Sequence, residues 1–459
     1  MLLHPVTIGA SEDAYHQGRP IRIVPDARRR HLAIFGGSGS GKSTLLGNMI
    51  AEDIAAGHGV TVVDPHGQLV DEILNNHIPR HRTNDVIYFN PKDRERAFSH
   101  NMLECRRKEQ RGLVVSNVIS IFKKLWFESW GPRMEDIFWN SLHALIEQRR
   151  PVSILALTKL LTDSTYRAAA LAEIQNPAVF DFFHTTYDRW NPNFREEAIS
   201  PVLNKVRAFA TDPLLRAVIG QGRSSFDFRS AIDKRKIILC DLSKGAIGPD
   251  NAMLLGSLIV MQEKLAALSR NDIPESDRVL HLLYAEEAQN YIGDFESILS
   301  ETRKFNLALA IATQAIDSLS RETATAIFTN AANLITFRVS NSDAERLKDE
   351  FTMVFPGAVI QDLPDYRAYV RTLTCDENGC RPVEAERVAT YPPLLRNRNA
   401  EWRSRIERTS NQRYTKPRVA IEASIARFML GHSTTGSLPK RSGDATKSYF
   451  RAPTIRDVS

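Results

Sequence analysis

The chain has 459 residues, of which 42% are hydrophobic and 25% charged, and its formal net charge at pH 7 is +6. This length predicts two or three structural units, and the composition is that of an ordinary globular protein. The sequence contains no apolar run of about eighteen residues, so we expect no intrinsic membrane span. Its first residues are soon followed by charged ones, so we do not expect them to be a signal peptide.

Four scattered cysteines suit a reducing cytoplasm and argue against a disulfide framework. They are Cys105, Cys240, Cys375 and Cys380. Cys375 and Cys380 bracket the sequence Asp-Glu-Asn-Gly, which is either half of a zinc site or a hairpin turn. Zinc needs further ligands, and no second cysteine pair exists in the sequence, so the hairpin is favoured.

Residues 36–43, Gly-Gly-Ser-Gly-Ser-Gly-Lys-Ser, fit the P-loop spacing G-x-x-x-x-G-K-[ST]. An apolar run over 31–35 predicts a strand before the loop, and helical periodicity over 44–54 predicts a helix after it. Such a loop directs backbone N–H groups at phosphate oxygens. We therefore expect a nucleoside triphosphate to bind there. The predicted binding residues are Gly36, Gly37, Ser38, Gly39, Ser40, Gly41, Lys42, Ser43 and Thr44.

Within this motif, Lys42 is expected to reach the β- and γ-phosphates and Ser43 to hold Mg²⁺ through its hydroxyl. A second acidic site follows the apolar run over 281–285, where a predicted strand ends in two glutamates. We assign Glu286 to the metal and Glu287 to the general base that activates water. The alternative is a pair of surface glutamates at the start of a helix.

Four further polar residues are candidates for the site. Gln314 follows a predicted strand and could orient water against the γ-phosphate. Arg303 precedes that strand and could act on a neighbouring subunit's nucleotide, or could interact only with a helix dipole. Arg338 is a weaker candidate for the same role. Asp64 ends the strand beside the P-loop and could join the outer shell of the metal or cap the turn that follows.

The alternation of strands and helices predicts an α/β fold with a mostly parallel sheet, interrupted by an inserted all-α domain. Arginine-rich residues over 396–418 could contact nucleic-acid phosphates or form a solvated tail. The predicted units are a first half of the nucleotide-binding domain over 1–108, a helical insert over 109–222, a second half over 223–392, a basic segment over 393–430 and a disordered tail over 431–459.

In this order, the P-loop, helical insert, strand-end Glu-Glu and strand-end Gln resemble the conjugative coupling ATPases of type IV secretion. These belong to the broader HerA–FtsK class of DNA-pumping motors. The resemblance extends from about residue 21 to residue 419. The matching stretches are 36–43, 62–67, 130–135, 201–206, 241–245 and 299–304.

The resemblance implies a RecA-like P-loop NTPase core with an all-helical domain, assembled as a hexameric ring that hydrolyses ATP with Mg²⁺ and passes DNA through its channel. It matches Lys42 and Ser43 to the phosphate and Mg²⁺ ligands and Gln314 to the γ-phosphate sensor. It matches Glu286 and Glu287 to the Walker B pair, and Arg303 to an arginine that acts in trans.

The chain departs from the family in two respects. The family usually has Asp where this chain has Glu286, and it usually carries an N-terminal membrane anchor. Here the first predicted strand begins almost at once. We therefore expect a cytoplasmic protein, either recruited to the inner membrane by a separate partner or acting on DNA as a soluble relative.

Three functions follow from these observations. The leading one is an ATP-driven DNA translocase that couples DNA to a type IV secretion system. A HerA-like motor that processes DNA with a nuclease partner is the alternative within the same class. A nucleotide-gated docking module that recruits a relaxase or protein substrate is the alternative from another class, but Glu287 argues against it because a binding switch needs no general base.

Overall fold

The computed structural model describes residues 4–105, 107–291, 295–351, 360–394 and 400–430. The tail predicted over 431–459 lies outside the described residues. Fifteen strands are described. They are β1 (Val6–Ser11), β2 (Pro20–Ile23), β3 (Leu32–Phe35), β4 (Gly59–Asp64), β5 (Val86–Phe89), β6 (Arg96–Phe98), β7 (Ile237–Asp241), β8 (His281–Glu286), β9 (Leu307–Thr313), β10 (Asn333–Thr336), β11 (Arg367–Arg371), β12 (Leu373–Asp376), β13 (Gly379–Pro382), β14 (Glu386–Thr390) and β15 (Thr415–Pro417).

Eleven of these strands form one sheet, in the order β2-β1-β14-β11-β10-β3-β9-β8-β4-β7-β5. The strands from β10 to β5 run parallel to their neighbours. Strands β11, β14, β1 and β2 extend the sheet in antiparallel fashion. Strands β3, β4, β7, β8 and β9 are buried along their whole length, as their continuous apolar sequences require when helices cover both faces. The predicted α/β class with a mostly parallel sheet is confirmed.

Between β6 and β7 every described element is helical. The α-helices there are α4 (Arg111–Leu125), α5 (Pro132–Ile146), α6 (Ala156–Thr162), α7 (Ser164–Leu171), α8 (Pro177–Asp181), α9 (Pro192–Thr211), α10 (Pro213–Ile219) and α11 (Phe228–Asp233), with a π-helix over Phe182–Tyr187. The structure thus contains a helical insert, while the exact domain boundaries stay predictions.

The other α-helices accompany the sheet. They are α1 (Pro25–Arg28), α2 (Lys42–Ala55), α3 (Gln68–Asn76), α12 (Lys244–Ile247), α13 (Pro249–Leu268), α14 (Phe295–Glu301), α15 (Arg321–Asn330), α16 (Asn341–Leu347), α17 (Ala400–Tyr414) and α18 (Arg418–Leu430). By length and composition alone, the segment Pro249–Asp272 could cross a membrane. However, 78% of its most apolar stretch is buried within the fold, which is typical of a core helix.

The sheet separates two hydrophobic cores, because successive side chains of a strand point to opposite faces. In β3, Ala33 and Phe35 join the core shared with the helical insert and α13. Leu32 and Ile34 join the core beneath α2 and α3. The insert therefore packs on the sheet through a continuous apolar core and is not joined to it by linkers alone.

The basic segment is not a solvated tail over residues 400–430. Helix α17 packs against β5, the last strand of the sheet, and buries Ile406 completely. The Ser410 hydroxyl accepts a hydrogen bond from the Tyr88 N–H at 2.8 Å and so satisfies one donor of that edge strand.

Cys375 and Cys380 are directly opposed in the β12–β13 hairpin and form a disulfide. The hairpin interpretation agrees with the structure, and although the sequence argued against a disulfide framework, this one pair is bonded. The two-strand register brings the side chains together across the turn, which cysteine count alone does not reveal. Cys105 and Cys240 are free thiols.

A buried polar network ties the P-loop helix to the sheet. Arg28 at the end of α1 makes a two-pronged ion pair with Asp53 in α2, and one of its hydrogen bonds measures 2.7 Å. The Arg28 guanidinium also donates to the Tyr284 hydroxyl of β8 at 2.8 Å. All three side chains are almost fully buried. Their mutual bonding fixes α2 relative to β8, the strand that carries the acidic pair.

We predict that Asp53→Asn lowers the free energy of unfolding by about 3–5 kcal/mol, because the Arg28 charge then stays buried without its counter-ion. Urea titration followed by circular dichroism measures this change. Asp26→Asn is the matched control: Asp26 is exposed and lies 3.7 Å from Arg29. The control should cost no more than about 0.5 kcal/mol. Equal effects of the two substitutions would contradict the network's role.

Candidate functional site

The P-loop connects β3 to α2 at the carboxyl ends of the parallel strands. The Gly36 N–H donates to the Thr313 carbonyl oxygen at 3.3 Å, and the Gly37 N–H donates to the Arg338 carbonyl oxygen at 2.8 Å. These bonds anchor the start of the loop to β9 and to the segment after β10. The loop is thus held by strands on both sides before it turns into the helix.

Gly41 makes the final turn with φ of 117°, a conformation that residues with a Cβ atom rarely adopt. A Cβ atom here would also lie 2.9 Å from a ring carbon of Tyr366. Helix α2 starts at the next residue, so its first N–H groups and the positive end of its dipole point towards the loop. This backbone is built to receive an anion.

Lys42 is a buried residue, 6% exposed, and its ammonium group lies against the loop backbone. It donates hydrogen bonds to the carbonyl oxygens of Gly36 and Gly37, the latter at 3.0 Å. Burial lowers the pKa of Lys42, and the charges of Glu287 and Glu286 oppose that shift. The structure therefore brings the predicted phosphate-binding lysine and the predicted acidic pair into one electrostatic unit.

The Ser43 hydroxyl donates to Oε1 of Glu286, the last residue of β8. Burial, with Asp64 as the next contribution, raises the pKa of the Glu286 carboxyl to about 7. Hydroxyl and carboxylate oxygens are the ligands that Mg²⁺ prefers, and these two groups lie in direct contact at the mouth of the P-loop. The donor set fits a magnesium ion held between Ser43 and Glu286.

Asp64 is fully buried at the end of β4. Its Oδ1 accepts the N–H groups of His66 and Gly67, each at 2.8 Å, and its Oδ2 accepts that of Val70 at 3.0 Å. Of the two roles weighed from the sequence, the structure shows the capping of the turn and of α3. Its charge also contributes to the raised pKa of Glu286, so Asp64 lies close to the predicted metal ligand.

Glu287 has an unusual backbone, with φ of 50° and ψ of 48°. A non-glycine residue in this left-handed region is strained, and such strain concentrates at functional sites. Its side chain is 6% exposed and accepts a hydrogen bond from the Gln289 amide at 2.5 Å. The sharp turn directs the chain away from β8 directly after Glu286, so the two consecutive carboxylates take different positions.

The strand register places Gln314 at the carboxyl ends of the parallel strands, where the P-loop and the acidic pair also lie. Strand β9 lies between β3 and β8, with Thr313 opposite Phe35 and Ala312 opposite Glu286. Gln314 is the next residue of the chain and is exposed. It therefore follows a strand that lies between the strand leading to the P-loop and the strand that carries the acidic pair, and its role stays a prediction.

Arg303 lies at the opposite end of the parallel strands, beside their amino ends. It starts a short 3-10 helix, Arg303–Phe305, that precedes β9. The seven residues of β9 span about 20 Å at roughly 3.3 Å per residue, which separates Arg303 from the P-loop of its own chain. Arg303 and Arg30 line a cavity of about 670 Å³ there. The second candidate, Arg338, lies beside its own P-loop and forms an ion pair with Asp365 at 2.7 Å.

Two residues near the P-loop end of the strands were not identified as site residues from the sequence. Tyr366 has φ of 62°, is 46% exposed and donates its N–H to the Ser40 carbonyl oxygen at 2.9 Å. Asp241 ends β7, pairs with Lys92 and accepts from the Ser243 hydroxyl at 2.6 Å. Asp241 could have been found from the sequence, because it is an acidic residue at the end of a predicted strand. Tyr366 could not, because it lies in an irregular segment that is distant in sequence from the P-loop.

Solved structures of the coupling protein TrwB resemble this fold. The GDPNP complex of plasmid coupling protein TrwB matches with a TM-score of 0.60 and 18% identity, covering 83% of this chain and 89% of that one. Its complex with ADP and Mg²⁺ matches with a TM-score of 0.59 and 18% identity, covering 87% and 96%. At this identity the likeness establishes the fold, a RecA-like P-loop NTPase.

No curated protein sequence matches the chain. The family model of the type IV secretion-system coupling protein DNA-binding domain matches residues 18–351, well over half of the chain. This range includes the P-loop, the helical insert and the acidic pair. The protein described above thus belongs to the family of type IV secretion-system coupling proteins, and the match covers their DNA-binding domain.

Proposed function

We propose that this protein is an ATP-driven DNA translocase that acts as the coupling protein of a type IV secretion system in conjugative DNA transfer. The observation that carries the proposal is the contact between Ser43 and Glu286, with Lys42 and Glu287 beside it, in a chain of the coupling-protein family. This grouping is what ATP hydrolysis requires, and a protein that only binds nucleotide does not need Glu287.

Nucleotide binding in this proposal uses the P-loop backbone and Lys42. The lysine exchanges its hydrogen bonds with the Gly36 and Gly37 carbonyl oxygens for the β- and γ-phosphates. Ser43 and Glu286 hold Mg²⁺, which when bound neutralises phosphate charge. The TrwB complexes with GDPNP and with ADP and Mg²⁺ support this assignment by analogy of fold.

Hydrolysis in this proposal uses Glu287 and Gln314. Glu287 accepts a proton from the water that attacks the γ-phosphorus, while the bond from the γ-phosphorus to the bridging oxygen of ADP breaks. Gln314 follows β9, which lies between β3 and β8, and orients that water. The strained turn at Glu287 keeps its carboxylate apart from the metal ligand Glu286.

Arg303 acts on the nucleotide of a neighbouring copy, in a ring of six. Its position across the sheet from its own P-loop supports this role, because it cannot serve the nucleotide of its own chain. In a head-to-tail ring, the amino ends of the strands of one copy, where Arg303 lies, would face the P-loop of the next copy. Hydrolysis at one interface then changes a contact made by two subunits, which drives movement of DNA.

DNA is the polymer moved, as the family's DNA-binding domain and the net charge of +6 support. Contacts to the phosphate backbone make such binding independent of sequence and weaker in salt. We further propose that a membrane-bound secretion component or a relaxase recruits the cytoplasmic ring to the inner membrane.

We predict that DNA stimulates ATP hydrolysis by the purified protein and that Lys42→Ala and Glu287→Gln each reduce kcat by about 10²-fold or more. The first substitution removes a charge that stabilises the transition state, and the second removes the base. Phosphate release is measured with and without single- and double-stranded DNA. The control is Lys348→Ala, which removes an exposed cation paired with Glu345.

Nucleotide binding separates the two variants. Glu287→Gln should keep its affinity for ATP, whereas Lys42→Ala should lose it. ATP binding by the wild-type chain with negligible turnover under every DNA condition would refute the translocase and favour a docking module.

We predict that Arg303→Ala and Glu287→Gln complement each other. Each variant alone should be nearly inactive, but random mixing pairs an intact Glu287 with an intact neighbouring Arg303 at roughly a quarter of the interfaces of a head-to-tail ring. Activity of the 1:1 mixture, prepared by joint refolding or co-expression, is compared with that of each variant. No recovery in rings shown to be mixed would mean that Arg303 does not act in trans.

A further inference from the structure

Tyr366 lies against the turn with which the P-loop enters α2. Its N–H donates to the Ser40 carbonyl oxygen at 2.9 Å, and its ring carbon Cδ1 is 2.9 Å from the position that a Cβ atom at Gly41 would occupy. The ring is therefore next to the loop backbone, although the residue is 46% exposed. An aromatic ring that touches the phosphate-binding loop and keeps much of its surface open offers a face to a bound nucleotide.

The backbone of Tyr366 is held in the left-handed region, with φ of 62°. Its carbonyl oxygen accepts two hydrogen bonds from Thr390, one from the N–H at 3.0 Å and one from the hydroxyl at 3.1 Å. The preceding residue, Asp365, pairs with Arg338, whose carbonyl oxygen accepts the N–H of Gly37 in the loop. A bulky residue keeps this conformation only where its surroundings fix it, and such residues concentrate at ligand sites.

The sheet topology separates Tyr366 from the acidic pair. Strands β9 and β8 lie on one side of β3, and Glu286 and Glu287 are found where β8 ends. Strands β10 and β11 lie on the other side, and β11 is antiparallel, so Tyr366 directly before it lies at the carboxyl ends of the parallel strands. A triphosphate with its γ-phosphate towards the acidic pair therefore has its α-phosphate and its nucleoside towards Tyr366.

Two more exposed apolar side chains lie on the same flank of α2. Tyr391 is 37% exposed and Leu394 is 43% exposed. The buried Asn48 of α2 holds this segment, because its amide nitrogen donates to the Tyr391 carbonyl oxygen at 3.2 Å and its Oδ1 accepts the Leu394 N–H at 3.0 Å. Asn48 lies one helical turn after Thr44, on the same face of α2. The exposed apolar side chains thus border the helix face that leads away from the loop.

We propose that Tyr366, with Tyr391 beside it, forms the base-binding subsite of the nucleotide site, where the nucleobase stacks on the Tyr366 ring. The side-chain amide of Asn48 and the carbonyl oxygen of Tyr366 are already occupied by bonds within the chain. The subsite therefore recognises the face of the base and not its edge, so adenine and guanine bind alike. The inference rests on the proposed function and deepens it, because it names how the nucleoside is held.

The first test compares ADP with inorganic triphosphate, which can occupy the loop but has no base. Tyr366→Asn removes the ring and introduces a residue type that tolerates positive φ. It should weaken ADP binding by about 5- to 150-fold, the loss caused by removing one aromatic stacking partner. The affinity for triphosphate should change by less than about twofold, because its contacts are with the loop and Lys42. Calorimetric titration in the presence of Mg²⁺ measures both.

Two further substitutions isolate the ring. Tyr366→Phe keeps the stacking face and should recover the ADP affinity that Tyr366→Asn loses. Tyr15→Ala is the matched control, since Tyr15 is 93% exposed in the connection between β1 and β2, and it should leave both affinities unchanged. If Tyr366→Asn fails to fold, Tyr391→Ala removes the second ring and should weaken ADP binding by about threefold or more while triphosphate still binds.

The second test compares two bases on the wild-type chain. ADP and GDP should bind with Kd values within about threefold of each other, because stacking depends little on the groups at the edge of the base. A difference above about tenfold would overturn recognition through the face of the base, because edge contacts discriminate strongly.

The inference is overturned if Tyr366→Asn binds ADP as the wild-type chain does. It is also overturned if ADP and triphosphate binding weaken equally, because Tyr366 would then support only the shape of the loop. A wild-type chain that binds neither ADP nor triphosphate would instead refute the nucleotide site of the proposed function, and the inference with it.

Discussion

The parallel register of β3, β9 and β8 is the constraint on which the site depends. Phe35 lies opposite Thr313, and Ala312 opposite Glu286. The carboxyl ends of three strands that are distant in the sequence therefore lie side by side. The residues that follow these strands come close together at that end of the sheet. The buried Arg28–Asp53–Tyr284 network fixes the helix that leaves the P-loop against the same strands. Without this alignment, Lys42 and the acidic pair would be ordinary polar side chains.

Much of this could be predicted from the sequence because the signals are local. The eight residues 36–43 suffice to define the P-loop, and an apolar run that ends in Glu286 and Glu287 predicts a buried strand with acids at its end. The mostly parallel sheet and its helical insert follow from periodicity in the same way. Each of these inferences needs only a segment and its immediate neighbours.

The rest depends on pairing between distant segments, which one sequence does not display. Strands β11 and β14 continue the sheet beyond β10, although no local pattern distinguishes them from a separate hairpin. The bond between Cys375 and Cys380 depends on hairpin register, and Tyr366 reaches Ser40 only because that antiparallel extension places it there. Residues of α17 appear as a charged run in the sequence because its one buried stripe, which includes Ile406, is narrow.

The two ends of the sheet are closed in different ways. Strand β2 is only four residues long and begins with Pro20, whereas α17 packs against β5 at the other end. Short proline-containing strands and covering helices both prevent edge-to-edge pairing with another chain. In the ring proposed above, neighbouring copies would therefore meet through side chains and loops, and the backbone hydrogen bonds of each sheet would stay within one chain.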